Sequence, residues 1–320
     1  MMVQLTTLLD KSYFSRARTL IDSLDSFNLD FHLWVFCIDD GAWFLFQELG
    51  HQKITALKPS DWENDQLKSI RQSRTNQEYC WTLTPFTISE VFRRETKGDF
   101  VFYIDSDVFF MKDPYPLMSE IFAQDVGVFI TQHNFLPELK PLERFGLFNV
   151  QFLGVHRSRG KEILETWEDQ CIDWCFSRED DGKYGDQKYL DAWPAEYGHL
   201  VRVGEPSGLF QGPWNAGHSD PSDAMTFHFS SLELLPKRYV RMANSGYPIP
   251  GSHVERVFRP YVDKLRFFEA QLSRRQPLLA RARKSLRIQS DSLARKIANL
   301  RAGRGFVDYV VGKKNIVRFQ

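Results

Sequence analysis

The chain has 320 residues, of which 42% are hydrophobic and 14% aromatic, with equal numbers of basic and acidic side chains. This composition can bury a large core and is too apolar for a disordered chain. Its 19 Gly and 15 Pro exclude a collagenous chain, and its four cysteines are too few for a disulfide scaffold. No apolar run reaches the roughly 18–20 residues that span a bilayer, and no signal peptide is evident. The sequence therefore predicts a cytoplasmic protein.

The neutral net charge conceals an asymmetry along the chain. Residues 264–320 carry 15 Lys or Arg and three acidic residues, a balance of +12, which leaves −12 on residues 1–263. A basic tail on an acidic body predicts an anionic partner, and we interpret that partner as a membrane surface rather than a nucleic acid. A solvated helix rich in Arg and Lys is the alternative.

Strand and helix patterns alternate over the first hundred residues. Helical periodicity covers residues 12–24 and 78–95, and apolar runs predict strands at 3–9, 31–38, 53–57 and 100–104. Repeated units of this kind predict an α/β fold with a mostly parallel sheet and helices on both faces. Ligands of such sheets bind beyond the carboxyl ends of the strands.

The regular alternation of strand and helix patterns ends after the fourth strand. Residues 178–250 are rich in Gly, Pro and Trp, whereas further strands are predicted at 126–131, 148–155 and 225–229 and a helix at 161–176. An irregular region of this length usually carries function. From about residue 254 the pattern is again helical and becomes basic. We therefore predict a catalytic domain at 1–250 and a basic amphipathic helical extension at 251–320.

The strongest chemical signal is the segment YIDSDVFF. Asp105 and Asp107 directly follow an apolar strand, so both carboxylates are expected at the ligand-binding edge of the sheet. Two oxygen ligands there suit Mn²⁺ or Mg²⁺, which can bridge the oxygens of a diphosphate. A turn built of Asp residues is the competing interpretation.

Three later segments add polar residues to this site. Asn149 interrupts the apolar strand FNVQFLGV, and a buried amide there needs hydrogen-bond partners. Asp186 and Gln187 begin a short helix after a glycine, where simple helix capping is the alternative role. His228 ends the strand MTFHF, where a core histidine is more common than a metal ligand.

Taken together and in this order, these residues resemble nucleotide-sugar glycosyltransferases of the GT-A fold, a Rossmann-like architecture. The likeness is strongest to the retaining enzymes of family eight, such as glycogenin and lipopolysaccharide galactosyltransferases, and covers about residues 1–235. The strings EYCWTLTPF, YIDSDVFF, GKYGDQKYLDAWP and PWN are similar to a bacterial subgroup from surface-polysaccharide gene clusters. The resemblance implies metal-dependent transfer of a hexose, with retention, from a nucleotide diphosphate-sugar, expected to be a UDP-sugar. The implied acceptor is a saccharide linked to a lipid at the cytoplasmic face of the inner membrane.

The resemblance also implies a role for individual residues. Asp105, Asp107 and His228 would hold Mn²⁺ or Mg²⁺, and Asp186 would lie near the reacting sugar. The remaining contacts to the nucleotide, the sugar or the acceptor are implied for Thr6, Thr7, Tyr13, Ser106, Asn149 and Gln187, with Tyr13 stacked on the base.

The sequence departs from the family pattern where the family binds the diphosphate. Ser231 stands where the late motif has Gly, and Leu234 where it has Lys. Lys237 or Arg238 could supply the missing charge. Trp81 replaces an Arg that commonly precedes the Asp-x-Asp strand. These departures leave open a non-catalytic protein that binds nucleotide-sugars or acts as a scaffold.

A phosphatase and a zinc site fit the sequence less well. The segment D-x-D-x-V also begins haloacid-dehalogenase-type phosphatases, but there the aspartate strand opens the domain. Cys171 and Cys175 share a helix face without a second pair, so a zinc site is not expected.

The basic tail has a pattern of its own. Leucines recur every seven residues at positions 265, 272, 279, 286, 293 and 300. This stripe suits a helix lying on anionic lipid, a helix packed on its own domain, or the seam of a homodimer.

Overall fold

The computed structural model describes residues 2–204, 208–244, 246–275 and 315–319. Its centre is a seven-stranded sheet in the order β3-β2-β1-β4-β7-β6-β8. The pairs β3-β2, β2-β1, β1-β4 and β6-β8 are parallel, and β7 runs antiparallel to both its neighbours. The prediction of a mostly parallel α/β sheet is confirmed. The strands are β1 (Val3–Leu9), β2 (Phe31–Cys37), β3 (Ile54–Leu57), β4 (Phe100–Ile104), β5 (Val108–Phe110), β6 (Val128–Gln132), β7 (Phe148–His156), β8 (Val201–Val203), β9 (Phe210–Gln211), β10 (Thr226–His228), β11 (Glu233–Leu234), β12 (Tyr239–Arg241) and β13 (Ile316–Arg318).

Helices cover both faces of the sheet and begin at recognisable caps. The side chain of Thr75 accepts a hydrogen bond from Glu78 N, and the carboxylate of Glu78 accepts one from Thr75 N, so a capping box starts α4. The α-helices are α1 (Phe14–Asp25), α2 (Asp40–Leu49), α3 (Asp65–Ile70), α4 (Asn76–Arg94), α5 (Tyr115–Phe122), α6 (Lys161–Asp173), α7 (Trp193–Tyr197), α8 (Gly251–His253) and α9 (Arg259–Arg275). Short 3₁₀ helices lie at Lys11–Tyr13, Pro59–Asp61, Arg71–Ser73, Pro137–Phe145, Gln187–Asp191, Gly198–Leu200, Pro221–Asp223 and Pro236–Arg238, and a π-helical turn at Val254–Phe258.

The strands β1 and β4 lie side by side near the centre of the sheet, and both of their faces are covered. Every residue of β1 and of β4 is buried. Side chains of one face pack against α1 and α2, and those of the other against α4 and α6. Continuous hydrophobic runs are typical of parallel strands buried in this way. The carboxyl ends of β1 and β4 therefore open side by side at one edge of the sheet.

A small second sheet positions the end of the aspartate segment. The strand β5 pairs antiparallel with β10, so that His228 lies opposite Val108. The backbone N–H of Phe229 donates to the carbonyl of Asp107 at 3.0 Å. This pairing brings the late histidine to the two aspartates, although the sequence alone predicts no strand at 108–110.

The C-terminal segment packs into the body of the protein. Tyr261 stacks on Phe229 with ring centroids 3.5 Å apart, and Val257, Phe258 and Leu265 are fully buried in the same cluster. The boundary predicted at residue 250 thus falls inside a continuous core. The strand β13, which follows α9 in the sequence, pairs antiparallel with β12. The residues of β13 belong to the segment for which the sequence predicts helix.

The leucine repeat of the tail belongs in part to this core. Leu265 is fully buried, and Leu272 packs against the cluster that contains α1. Both contacts are made within the chain, as in the interpretation of a helix packed on its own domain. The leucines at 279, 286, 293 and 300 lie outside the described residues, as do the other predictions for 276–314.

Candidate active site

The carboxyl ends of β1 and β4 border one large cleft of about 1660 Å³. All but two of the residues singled out from the sequence line it. These are Tyr13, Asp105, Ser106, Asp107, Asn149, Asp186, Gln187, His228 and Lys237. Residues that are far apart in sequence thus converge at the edge of the sheet where ligands of such folds bind.

The two exceptions are Thr6 and Thr7. Both are fully buried in the middle of β1 and do not line the cleft. The cleft wall is formed instead by the last two residues of β1 and the loop that follows, from Leu8 to Tyr13. The nucleotide contacts that the resemblance implies for Thr6 and Thr7 are therefore corrected by their burial within the strand.

Asp105, Asp107 and His228 form the charged centre of the cleft. The Nε2 atom of His228 lies 3.0 Å from an Asp107 carboxylate oxygen and 3.6 Å from one of Asp105. The hydroxyl of Tyr103 donates to Asp105 at 2.9 Å. Although burial opposes ionisation, Asp107 raises the pKa of His228 and His228 lowers the pKa of Asp107, because each stabilises the charged form of the other.

The same three side chains are the candidate metal ligands. Among the described residues, no group of three or more His, Cys, Asp or Glu side chains is already arranged as a metal site. The imidazole Nε2 instead contacts Asp107. The donor set nonetheless fits a divalent cation, since two carboxylates suit Mg²⁺ and Mn²⁺ and the buried Nδ1 of His228 has no hydrogen-bond partner among the described residues.

Asp186 lies deep in the cleft behind a tight turn. Gly185 has a φ of +56°, a left-handed conformation that favours glycine, and an added Cβ would lie 3.2 Å from the Trp81 ring. The side chain of Asp186 is 2% exposed, and its Oδ2 has no hydrogen-bond partner in the described structure. Burial, together with the charge of Asp105, raises the pKa of Asp186 to about 7. A capping role does not explain this side chain, because it caps no N–H of the following helix.

Two amides on β7 form part of the cleft wall. Asn149 accepts hydrogen bonds from the hydroxyl of Thr131 at 3.0 Å and from Gln151 N at 3.2 Å, while its Nδ2 has no partner in the described structure. Gln151 is fully buried, and neither atom of its side-chain amide is paired within the described residues. Buried amides normally bind a polar partner, so a ligand that carries hydroxyls suits this wall. Gln187, in contrast, donates to the Phe145 carbonyl at 3.0 Å.

Sequence reasoning missed several residues of the cleft. His133 stacks on Phe135 with ring centroids 4.7 Å apart, and Trp214 meets the edges of His133 and His228. Burial lowers the pKa of His133 to about 3, so its imidazole is neutral. Trp214 belongs to the string PWN, whereas nothing in its sequence context marks His133 as a cleft residue.

Comparisons with known proteins agree with this architecture. The galactosyltransferase LgtC, solved in complex with donor and acceptor sugar analogs, matches with a TM-score of 0.50 and 12% identity, over 83% of this chain and 95% of its own. Mouse xyloside xylosyltransferase 1 in its apo form matches with a TM-score of 0.47 and 13% identity, over 71% and 97%. The prediction of a GT-A fold is confirmed; at these identities the likeness establishes the fold alone.

Sequence comparison adds two bacterial relatives. No protein-family model matches the chain. The uncharacterized protein YfnD of Bacillus subtilis (strain 168) is 26% identical over 281 residues, covering 82% of this chain and 88% of its own. YfnF of the same strain is 26% identical over 249 residues, covering 72% and 81%. The described residues contain no helix long and apolar enough to cross a membrane.

Proposed function

We propose that this protein is a metal-dependent glycosyltransferase that moves a sugar from a nucleotide diphosphate-sugar to a saccharide acceptor. One observation carries the proposal: Asp105, Asp107 and His228 meet at the carboxyl end of β4, in the same cleft as the deeply buried Asp186. The GT-A fold supports it, because solved proteins of this fold include the galactosyltransferase LgtC.

Asp105, Asp107 and His228 would hold Mn²⁺ or Mg²⁺. A cation bound there would neutralise the charge that grows on the leaving diphosphate. The aromatic ring of Tyr13, which lines the same cleft, would stack on the nucleoside base. Ser106, also buried in the cleft wall, lies between the two aspartates and would contact the donor.

Asp186 would act on the sugar itself. Its carboxylate is held where water is excluded, and a negative charge there stabilises the cationic sugar that forms as the glycosidic bond breaks. The Nδ2 of Asn149 would donate a hydrogen bond to a sugar hydroxyl, and the side-chain amide of Gln151 would donate to or accept from one. In a reaction with retention, the leaving phosphate accepts the proton of the acceptor hydroxyl on the same face, so no separate general base is required.

We further propose a hexose donor, with UDP as its carrier, and a lipid-linked acceptor in the synthesis of a bacterial surface polysaccharide. The order along the chain of the Asp-x-Asp segment, the strand with Asn149, the Asp186-Gln187 pair and His228 supports this assignment. The cleft also has room for both substrates, since a pocket for one small ligand occupies about 300–1,000 Å³ and this cleft is larger.

A panel of nucleotide diphosphate-sugars tests the proposal. The protein is incubated with each donor and Mn²⁺, with and without saccharide acceptors, and the released nucleoside diphosphate is measured. We expect release from at least one donor by the unchanged protein and by Asp65→Ala, whose fully exposed carboxylate lies outside the cleft. Asp107→Ala should release none.

The same experiment distinguishes the proposed glycosyltransferase from the non-catalytic alternative. That alternative is favoured by Ser231 and Leu234, which stand where the family has its diphosphate-binding Gly and Lys. Ser231 has a φ of +63°, a left-handed conformation that favours glycine, so a glycine would fit this position of the chain without strain. A protein that binds donors but neither hydrolyses nor transfers them would fit this alternative, and one that binds no donor would contradict both.

A further inference from the structure

Arg16 is a buried cation in the wall of the cleft. It lies in the first turn of α1 and is 9% exposed. Its guanidinium stands 4.6 Å from the centroid of the Tyr13 ring and donates one hydrogen bond, at 2.8 Å, to the carbonyl of Leu232. Arg16 thus joins the loop after β1 to the loop after β10.

The contacts that Arg16 makes with the described residues do not compensate the cost of burying its charge. Burying a charged group is costly unless an opposite charge or several hydrogen bonds compensate it. Among the described residues Arg16 forms no ion pair, and its hydrogen bond to Leu232 uses one of five N–H donors. The other basic residues that line the cleft are half-buried or exposed: Lys11, Lys237, Arg238, Arg241 and Arg266.

The surroundings nevertheless keep Arg16 charged. Burial lowers the pKa of its guanidinium, but Tyr13, Tyr261, Asp107 and Glu269 together raise it above the usual value. A permanent positive charge with free donor capacity at the cleft wall is the arrangement that binds phosphate groups, because a guanidinium can contact two phosphate oxygens at once.

The position of Arg16 matches the path of a diphosphate. Tyr13 is the residue proposed to stack on the base, and Asp107 is a proposed metal ligand. The diphosphate of a nucleotide-sugar connects the nucleoside to the reacting sugar and must therefore pass between these two points. Arg16 contacts Tyr13 and interacts electrostatically with Asp107.

We propose that Arg16 binds the donor's diphosphate and replaces the lysine that Leu234 displaces from the late motif. This inference rests on the proposed function, since it assigns a contact to the same donor. It differs from the sequence-based expectation, which gave that role to Lys237 or Arg238. Both of those side chains are exposed, on a loop where their φ values are +57° and +65°.

Binding of inorganic pyrophosphate tests this assignment without reference to the base, the sugar or turnover. The full chain is titrated with pyrophosphate in the presence of Mg²⁺ by isothermal calorimetry, and with UDP as a second probe. Arg16→Met should bind both probes at least about tenfold more weakly, the loss expected for charge-assisted hydrogen bonds. Arg16→Lys should fall between, because an ammonium keeps the charge without the two-point contact.

Arg18→Met is the matched control. Arg18 lies in the same helix, outside the cleft, and its guanidinium stands over the ring of Phe268. This variant should bind pyrophosphate as the unchanged protein does. If loss of the buried Arg16 prevents folding of the Met variant, the pyrophosphate affinity of Arg16→Lys is the deciding measurement.

The outcomes separate this inference from the proposed function. Unchanged pyrophosphate affinity in folded Arg16→Met, or in folded Arg16→Lys if the Met variant does not fold, overturns the role of Arg16 and leaves the proposed function standing. Failure of the unchanged protein to bind either pyrophosphate or UDP overturns both.

Discussion

The imidazole of His228 lies 3.0 Å from the carboxylate of Asp107 because β10 pairs with β5 directly after the Asp-x-Asp segment. This contact joins two motifs that are distant in sequence into one charged centre. It is an ion pair within the protein, and it is formed by two of the three proposed metal ligands.

The first prediction concerns this centre. Asp107→Ala should abolish the rise in Tm that Mn²⁺ produces in the unchanged protein, because a ligand that binds only the folded state stabilises it. The fold should persist, since His228 can become neutral when its partner is removed. Differential scanning fluorimetry across a Mn²⁺ titration measures both effects, with Asp65→Ala as the control. A normal Mn²⁺ response in folded Asp107→Ala would exclude Asp107 as a metal ligand.

Much of this geometry follows from local patterns in the sequence. The segments VQLTTLL and FVFYI predict β1 and β4, and FVFYI is continuously apolar, as expected for a strand covered on both faces. The aspartates after β4 then lie at the open edge by the topology of the sheet. The sequence predicts no strand at β5, β8, β9, β11, β12 or β13, since strands of two or three residues depend on long-range pairing.

The buried polar residues of the cleft were harder to predict. Arg16 appears in the sequence as one basic residue of an amphipathic helix, and only packing against Leu232 shows that it faces inward. Gln151 alternates with Asn149 on a strand whose neighbours are apolar, and this was a signal that could have been used. Thr6 and Thr7 lie inside the strand that the sequence correctly predicts at 3–9, so their assignment to the cleft came from the resemblance and not from an error in the strand end.

The second prediction concerns Asp186 and pH. A carboxyl whose pKa is raised by folding contributes stability that is fully present below its unfolded pKa, near 4, and is lost as the pH rises to the folded pKa, about 7. Asp186→Asn cannot ionise, so it avoids the loss of stability that the buried carboxylate causes at high pH. In EDTA, the variant should exceed the unchanged protein by on the order of 3 kcal/mol at pH 8, since one pKa unit corresponds to about 1.4 kcal/mol.

Urea unfolding at pH 4, 6 and 8 measures this difference. Glu168, whose pKa burial also raises to about 7, titrates in both proteins and cancels. The gap should close near pH 4, and a gap independent of pH would refute the raised pKa. Under transfer conditions the same variant should lose most of its kcat while its affinity for the donor changes little, as expected for a transition-state interaction.

The third prediction concerns the unpaired amide of Gln151. Replacing a buried, unsatisfied polar group by an apolar one of similar shape is neutral or stabilising. Gln151→Met should therefore raise the free energy of unfolding by about 1 kcal/mol while weakening donor binding, because the amide is proposed to contact the sugar. Calorimetry measures the affinity for the donor, and urea unfolding without donor measures the free energy of unfolding. Gln66→Met, at an exposed position, is the control. Loss of stability without loss of donor affinity would show that the amide serves the fold.

The last prediction concerns the basic segment between α9 and β13. Residues 276–314 carry ten Lys or Arg against Asp291 and Asp308. A truncation near residue 262 cannot test this segment, because it would remove the buried Leu265 and Phe319 from the core. Charge substitution in the full chain avoids that problem. Each basic residue near an anionic surface contributes up to about 1 kcal/mol of binding.

We expect the intact protein to co-sediment with liposomes that contain anionic lipid at low salt, and to be released as salt screens the attraction. Changing Arg281, Arg283, Lys284 and Arg287 to Gln should lower the bound fraction at least about tenfold. The control changes four exposed basic residues of the body, Lys68, Arg93, Lys97 and Lys161, to Gln and should leave binding intact. Equal losses in both variants would show that binding depends on the net charge of the protein and not on this segment. If the intact chain instead ignores liposomes and elutes as a dimer that the tail substitutions dissociate, the basic segment is an oligomer contact.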